Sequence, residues 1–566
     1  MLSAWLFGAI LVAVACYLYQ SLYPIPLPGI PYRAESARRP LGDIPQFKAR
    51  ARVTRENTDA AFSVARDLGS PIAQLLLPSF ASRVVVVLND PIEVEDILTR
   101  RHQEFDRSPL TSQFFMPLFP HSTIAQATTP ALKAQKRLWA GAMNTAFLDR
   151  VVAPNVHLAG RDLVELWRAK ATQSGGQSFE GTKDFGNAAL DAIWVAILGS
   201  RLGITRRQID MLQQTVEEVI HNPQGSSKAY VVQEAVQYLN KIVDLGFESI
   251  FPPLTFFLVK LSPTFRRFKK ITYDEVSKLM VQACERYQGL KRLHTETDGE
   301  ELDTCAMDLV LRREVLTARK NGQPVPDPTK DPAMLQELLL LLIAGHESTA
   351  STLSWFVKLM SQYQAVQATL RTSLQQAFPD CRLNGTVPSA STILSQPMPY
   401  LDSVIEETLR FSAPAGATTR IAKVDTTILG CPIPAGTNII LNTRFHSYQP
   451  GKLGAEDSGT QGRRSRAGLE KRAWRELDKF KPERWLTKDE EDREVFDGNA
   501  LPALVFGGGF RGCFGKKLAM KELRIIITLL ILSFEFLPLP EDQVSMLAEE
   551  RLFRQPRTCP VRLRPL

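Results

Sequence analysis

One of the seven cysteines in this chain sits where sulfur chemistry is favoured. Cys513 lies in Phe506-Gly-Gly-Gly-Phe-Arg-Gly-Cys-Phe-Gly515, a glycine-dense turn that opens directly onto an apolar run of helical period, Lys516 to Leu532. A thiolate held there is at a helix N-terminus, where unpaired backbone N–H groups and the positive end of the helix dipole favour negative charge. That setting lowers a thiol's pKa and makes it a nucleophile or a metal ligand. The glycines let the backbone turn sharply and pack flat against something large. Arg511, two residues before the cysteine, can reach an anion on the same object. A haem group with Cys513 as its axial ligand fits these features together.

Other readings compete on the same residues. A phosphate loop at Gly515-Lys516 fails, because Phe510 stands where glycine is needed and Lys517 where Ser or Thr is needed. Gly507-x-Gly509-x-x-Gly512 does match a dinucleotide fingerprint, following a strand-like Leu504-Val-Phe506 and followed by Glu535 about twenty residues on. Against it, only about fifty residues remain to the C-terminus, too few to complete a doubly wound sheet. A buried cysteine in a glycine turn, with no chemistry, is the plain alternative.

A second group of reactive side chains lies in Ala344-Gly-His-Glu-Ser-Thr349. It interrupts a helix predicted from Asp331-Pro332, a capping residue followed by proline, to about Gln362. Leu338-Leu-Leu-Leu-Leu-Ile343 makes that helix apolar on every face, so it belongs in the centre of a large core. Polar groups there are costly unless they have a task. Gly345 would let a small molecule lie against the backbone, and Ser348 or Thr349 can bond back to the preceding turn or offer a hydroxyl. Glu407 and Arg410 stand three apart on one helix, and Arg484 follows in Phe480-Lys-Pro-Glu-Arg-Trp485; together they can close a buried ion network.

The elements that hold these groups are mainly helical. Long helical patterns cover 130–147, 151–170, 186–200, 206–221, 227–247, 273–295 and 303–320, whereas Thr426 to Thr443 reads as a small sheet. Gln173 to Asp184 is a polar loop, and 451–472 a polar, charge-dense insertion. Phe247 to Lys270 combines aromatic residues with a basic tail, as an interfacial membrane segment or a packed helix corner would. No linker or internal repeat divides residues 41–566. The cysteines show no C-x-x-C, which excludes a zinc pattern or disulfide framework and suggests a reducing compartment. A net charge of +8 fits an anionic membrane or an acidic protein, and no nucleic-acid motif accompanies it. No charged side chain precedes Arg33. Residues 1–23 therefore predict a transmembrane anchor, and the alternative of a cleaved leader at Ala13-Val-Ala15 lacks its basic start. Prolines at 24, 26, 28 and 31 predict an extended hinge over 24–40, and the basic residues beyond it place the body in the cytosol.

These motifs, in this order and over roughly 41–566, resemble the haem-thiolate monooxygenases of the cytochrome P450 family. Phe506, Gly509, Arg511, Cys513 and Gly515 are similar to its haem-binding signature, 344–349 to its oxygen-binding helix, Glu407 and Arg410 to its E-x-x-R pair, and Arg484 to the arginine that joins that pair. The resemblance implies a mainly α fold with a small β-rich subdomain, haem b (iron protoporphyrin IX), and Cys513 as iron ligand. It implies proton delivery by Glu347 with Ser348 or Thr349, structural roles for Glu407, Arg410 and Arg484, and propionate contacts from Arg511 and Arg420. A lipophilic substrate is implied, of terpenoid, polyketide, fatty acyl or alkaloid type, in the style of fungal specialised metabolism. Electrons are expected from an NADPH-dependent flavoprotein reductase docking on Lys133, Lys136, Arg137, Lys516, Lys517 and Lys521, at the endoplasmic reticulum membrane. Three departures stand out. Serine occupies 348 in place of the usual threonine, Lys136 (or neighbours Lys133 and Arg137) stands in for the usual propionate contact of the helix near 133–147, and 451–472 is longer than typical. A peroxide isomerase or dehydratase, and an NAD-binding membrane oxidoreductase, are the alternative functions.

Overall fold

In the computed structural model of the protein, residues 2–79, 84–213, 228–249, 251–293, 303–324, 327–445 and 472–566 are described. The insertion at 451–472 falls outside them save its last residue, as does the second half of the helix expected over 206–221. The charge-free start forms α1 (Leu2–Ser21). Among the described residues no helix is long and apolar enough to cross a membrane, so the transmembrane helix expected over 1–23 is not borne out. Several side chains of α1 are outside the description; Val12, Val14, Tyr17, Leu18 and Tyr19 are exposed. The proline segment that follows is not a free spacer. Buried Gln74 accepts from the Leu27 N–H and donates to the carbonyls of Leu27 and Ile30, each at 2.8 Å, which docks the segment on the body.

Gln74 belongs to a five-stranded sheet made of β1 (Ile72–Leu75), β2 (Val85–Leu88), β3 (Phe105–Arg107), β4 (Ala417–Ala422) and β5 (Asn438–Asn442). The strands run in the order β1-β2-β5-β4-β3, and only β2 and β5 pair in parallel. Strands β1 and β2 are buried along their whole length, β2 as its unbroken apolar run requires and β1 with Gln74 as its one polar side chain. After β2, α2 (Pro91–Thr99) starts on Asp90, whose carboxylate accepts from the N–H groups of Ile92 and Glu93.

The larger, helical part packs around α10 (Pro332–Gln362), whose side chains are buried along most of its length. Asp331 accepts from the Ala333 N–H at 2.8 Å and Pro332 opens the first turn, as the sequence predicts. Around it stand α3 (Pro130–Trp139), α4 (Ala153–Ser174), α5 (Thr182–Leu198), α6 (Lys228–Glu248), α7 (Pro252–Leu261), α8 (Pro263–Leu293), α9 (Ala306–Lys320), α11 (Pro399–Ser412) and α12 (Lys516–Ser533). The helix expected over 130–147 breaks after Trp139, where Gly141 lies so close to the Arg313 guanidinium that a Cβ would sit 2.4 Å from it. A short hairpin, β6 (Ala548–Glu550) with β7 (Arg554–Pro556), packs its turn against α6.

Candidate active site

The cysteine loop is built between α2 and α12. Its Cys513 N–H donates to the Phe506 carbonyl at 2.7 Å, and Gly512 N–H to the Gly509 carbonyl at 3.0 Å. Gly509 is fixed as glycine twice over: its φ is +60°, and a Cβ would lie 2.7 Å from the Leu98 carbonyl at the end of α2. At Gly515, beside the cysteine, a Cβ would instead project into space with no atom within 4 Å. The Cys513 thiol is free and exposed. Enough protein surrounds it that burial pushes the thiol up, while the Gly515 N–H and the charges of Lys136 and Lys516 pull the other way. A bound metal cation would decide that balance for the thiolate.

Around the loop, cations collect. Arg107 on β3 and Arg420 on β4 are direct cross-strand partners, an arrangement that like charges destabilise. Burial, then Arg511 and Arg420, push the Arg107 guanidinium down to about 9; burial and Arg511 bring Arg420 to about 10. Arg420 donates to the Thr419 carbonyl at 2.9 Å, but Arg107 Nε is buried with no hydrogen-bond partner among the described residues. Lys136 turns inward to the Phe510 carbonyl, 2.6 Å away, and burial followed by Arg511 and Arg107 lowers it. Its neighbour Arg137 reaches back to the Lys133 carbonyl at the surface. Arg511 has several protein partners. It donates to Thr128 Oγ1 at 2.8 Å and the Gln126 carbonyl at 2.9 Å, and pairs with Asp106 at 3.3 Å, tying the 121–128 loop to the cysteine loop.

Even with Asp106 and Glu337 ionised, positive charge is in surplus here. That surplus, the orphaned Arg107 Nε and the open space at Gly515 fit a flat dianionic group seated on Cys513, which is what a haem with two propionates is. Arg107 is the residue that sequence reasoning missed. A lone arginine in a three-residue strand carries no local signal; only its pairing with Arg420 exposes it.

On the opposite wall, Gly345 has a different task from the one expected. A Cβ there would meet Ile193 Cγ1 at 3.0 Å, so the glycine lets α5 close on α10. Ser348 Oγ donates to the Ala344 carbonyl at 2.9 Å and is half-buried. Thr349 is buried and faces α12, donating to Glu522 Oε2 at 2.9 Å. Burial pushes the Glu522 carboxyl up to about 8. Burial likewise brings Glu347 to about 7, although Asn240 Nδ2 donates to its Oε1 at 2.5 Å. His346 is buried against the Leu342 carbonyl, 2.6 Å away, and burial holds it neutral, at about 4.

The ion network closes as the spacing suggests. Glu407 accepts from Arg410 Nε and Nη2 at 2.8 Å, from Arg484 Nε at 3.0 Å, from Trp485 Nε1 at 2.9 Å and from the Lys481 N–H at 2.8 Å. Burial works against the carboxylate, but the two guanidiniums and the Lys481 N–H outweigh it and hold Glu407 below its ordinary range. The dinucleotide alternative fails here. Glu535 lies in a strand paired antiparallel to 563–565 and bonds Arg564, with no second crossover unit after α12.

Comparison with known proteins agrees. The family model described as Cytochrome P450 matches residues 56–450 and 465–560. The chain is 30% identical over 568 residues to the cytochrome P450 monooxygenase GME11363 of Pestalotiopsis microspora, covering 98% of this chain and 97% of that protein. It is 30% identical over 578 residues to the cytochrome P450 monooxygenase TRI13 of Fusarium sporotrichioides, covering 96% of each. The crystal structure of a cytochrome P450DA heme domain shares the fold, with a TM-score of 0.66 at 16% identity over 96% of this chain and 98% of that one. A cysteine seated for iron, a cationic rim for two propionates and these relatives lead to one conclusion: the chain belongs to the cytochrome P450 family and is a haem-dependent monooxygenase.

Proposed function

We propose that this monooxygenase inserts one oxygen atom into a lipophilic small molecule, of terpenoid or polyketide type, in fungal specialised metabolism. In this reading it works at the cytosolic face of the endoplasmic reticulum membrane with electrons from an NADPH-dependent flavoprotein reductase. The observation that carries the membrane setting is α7. Its Phe251, Leu254, Phe257, Leu258 and Leu261 are each more than half exposed. They are followed by exposed Lys260, Arg266, Arg267, Lys269 and Lys270, with no acidic residue between Glu248 and Asp274. An apolar face beside uncompensated cations suits the headgroup boundary of an anionic bilayer, and the exposed side chains of α1 support a second attachment.

Haem, when bound, supplies the activation of O2. Cys513 would hold the iron, and Arg107, Arg420 and Lys136 would hold the propionates by charge-assisted hydrogen bonds. Glu347 holds a proton near neutrality, and Ser348, the next residue, would offer its hydroxyl to the oxygen site. Glu407, Arg410 and Arg484 hold the segment leading to the cysteine. Lys133, Arg137, Lys516 and Lys517 are exposed and offer a basic face to an acidic reductase, whereas Lys521 is paired with Asp149. The test is turnover under isotopically labelled dioxygen with scaffolds chosen by ligand-induced spectral shifts. One labelled atom in the product is expected, and label arriving from water instead would overturn the proposal.

A further inference from the structure

Away from the cysteine loop, a cavity of about 450 Å³ opens where α7 and α8 meet the loop after Phe115 and the start of α10. Gln336 on α10 lines it, twelve residues before Ser348. At 1.5 Å per residue the cavity therefore lies roughly 18 Å along the helix from that hydroxyl. Its walls combine two chemistries. Leu118 and Phe265 are apolar and buried. Lys260, Arg266 and Lys269 line it as exposed cations, and none of the three pairs with a carboxylate among the described residues. Arg266 Nε donates to the Lys260 carbonyl at 3.4 Å, and the Lys269 ammonium stands 5.1 Å from the centre of the Tyr273 ring, which gathers these groups at one mouth. Positions 266, 269 and 273 are spaced to share one face of α8.

Further in, the polar groups can donate. Gln336 is only 8% exposed, and its Oε1 accepts the His121 N–H at 2.8 Å. Its amide N–H groups have no partner among the described residues, an unusual state for a buried side chain. The hydroxyl of half-buried Tyr273 is likewise unpartnered among the described residues, and burial pushes it up to about 12, so it keeps its O–H proton. No carboxylate lines the cavity. Cations and donors on apolar walls select an anionic oxygen head joined to an apolar body.

We propose that this cavity binds an anionic amphiphile, its phosphate or carboxylate head held by Arg266, Lys269 and the Gln336 amide and its apolar tail laid against Leu118 and Phe265. The planar fork of Arg266 suits two oxygens of one head, while Lys260 and Lys269 each add a point charge. Such a ligand joins α7 and α8 to the loop that His121 anchors on Gln336. This is a built site rather than the diffuse attraction of a basic flank to a bilayer. Arg267 makes the distinction testable, because it is exposed on the same helix and does not line the cavity.

Octyl phosphate titrated calorimetrically into the haem-loaded full chain should bind at one site, about tenfold or more tighter than octanol or inorganic phosphate, and more weakly as salt rises. The haem absorption band should not move. Gln336→Glu keeps the acceptor for the His121 N–H but puts a carboxylate where the amide donor stood, and should weaken octyl phosphate about a hundredfold. Arg266→Ala, at the exposed rim, should weaken it about tenfold, whereas Arg267→Ala should change it by less than about twofold. Equal losses in Arg266→Ala and Arg267→Ala would make the attraction diffuse and overturn the proposal. A displaced haem band would overturn it too, by placing the ligand at the iron. Flotation with vesicles containing phosphatidic acid separates the two sources of such a head. Weaker flotation of Gln336→Glu assigns it to a bilayer lipid, and unchanged flotation beside lost octyl phosphate binding assigns it to a soluble acid; both support the site. A full chain that binds octyl phosphate and floats with no vesicle would instead sink the membrane reading of α7 and leave the cavity standing.

Discussion

Ser348 and Thr349 are adjacent in the chain but face different things. Ser348 remains at the wall beside Glu347, whereas Thr349 is spent on Glu522 of α12. Ser348→Ala should therefore divert electrons to hydrogen peroxide and slow product formation by about ten- to a hundredfold. Thr349→Ala should leave coupling nearly intact and lower the melting temperature, which a side-by-side assay of coupling and thermal unfolding checks. Glu522 sets a pH dependence of its own. Its folded-state pKa is about 8 against an ordinary 4.5, so the folded chain keeps a proton that the unfolded chain releases between those values. Stability should fall as pH rises through that window. Glu522→Gln mimics the neutral acid, and denaturant unfolding of this variant at several pH values should show a flatter profile; an unchanged slope would assign the dependence to other groups.

Among the elements, α11 and the 472–485 segment are joined through one carboxylate. Arg484 donates to Glu407 and also to the carbonyls of Ala473, Arg475, Glu476 and Lys479. Arg484→Ala leaves Glu407 buried with half its compensation, and should cost about 3–5 kcal/mol in denaturant unfolding. Because Glu407 is held below its ordinary range, the network's contribution is present above the ordinary carboxylate pKa and is lost as pH falls through the depressed one. Elements such as α10 and this network were legible because their signals are local: a cap and proline at Asp331-Pro332, an apolar run, a glutamate and arginine three apart. Cys513 was legible for the same reason. Arg107 was not, since its meaning comes from a strand contributed from far along the chain, and Gly345 was misread because its partner, Ile193, lies on another helix. Asn240 was hidden in the same way: it gains significance only once α6 lies against Glu347. The proline segment looked free for want of any sign that Gln74 would clasp it.

For the molecule as a whole, the proposed membrane setting rests on the exposed apolar and basic side chains of α7 and its flank. A chain lacking residues 1–23 should still bind vesicles containing anionic lipid through α7. That binding should weaken with rising salt and vanish on neutral vesicles, because each basic residue near the surface adds roughly 1 kcal/mol. Flotation of the full and shortened chains at two salt concentrations distinguishes this from attachment by α1 alone. The facing arginines of β3 and β4 carry a further consequence. A dianionic porphyrin bound at these paired guanidiniums would relieve their repulsion, so the haem-loaded protein should resist unfolding and degradation better than the haem-free chain. Cells starved of iron should accordingly lose the polypeptide itself, rather than accumulate an idle pool awaiting its pigment.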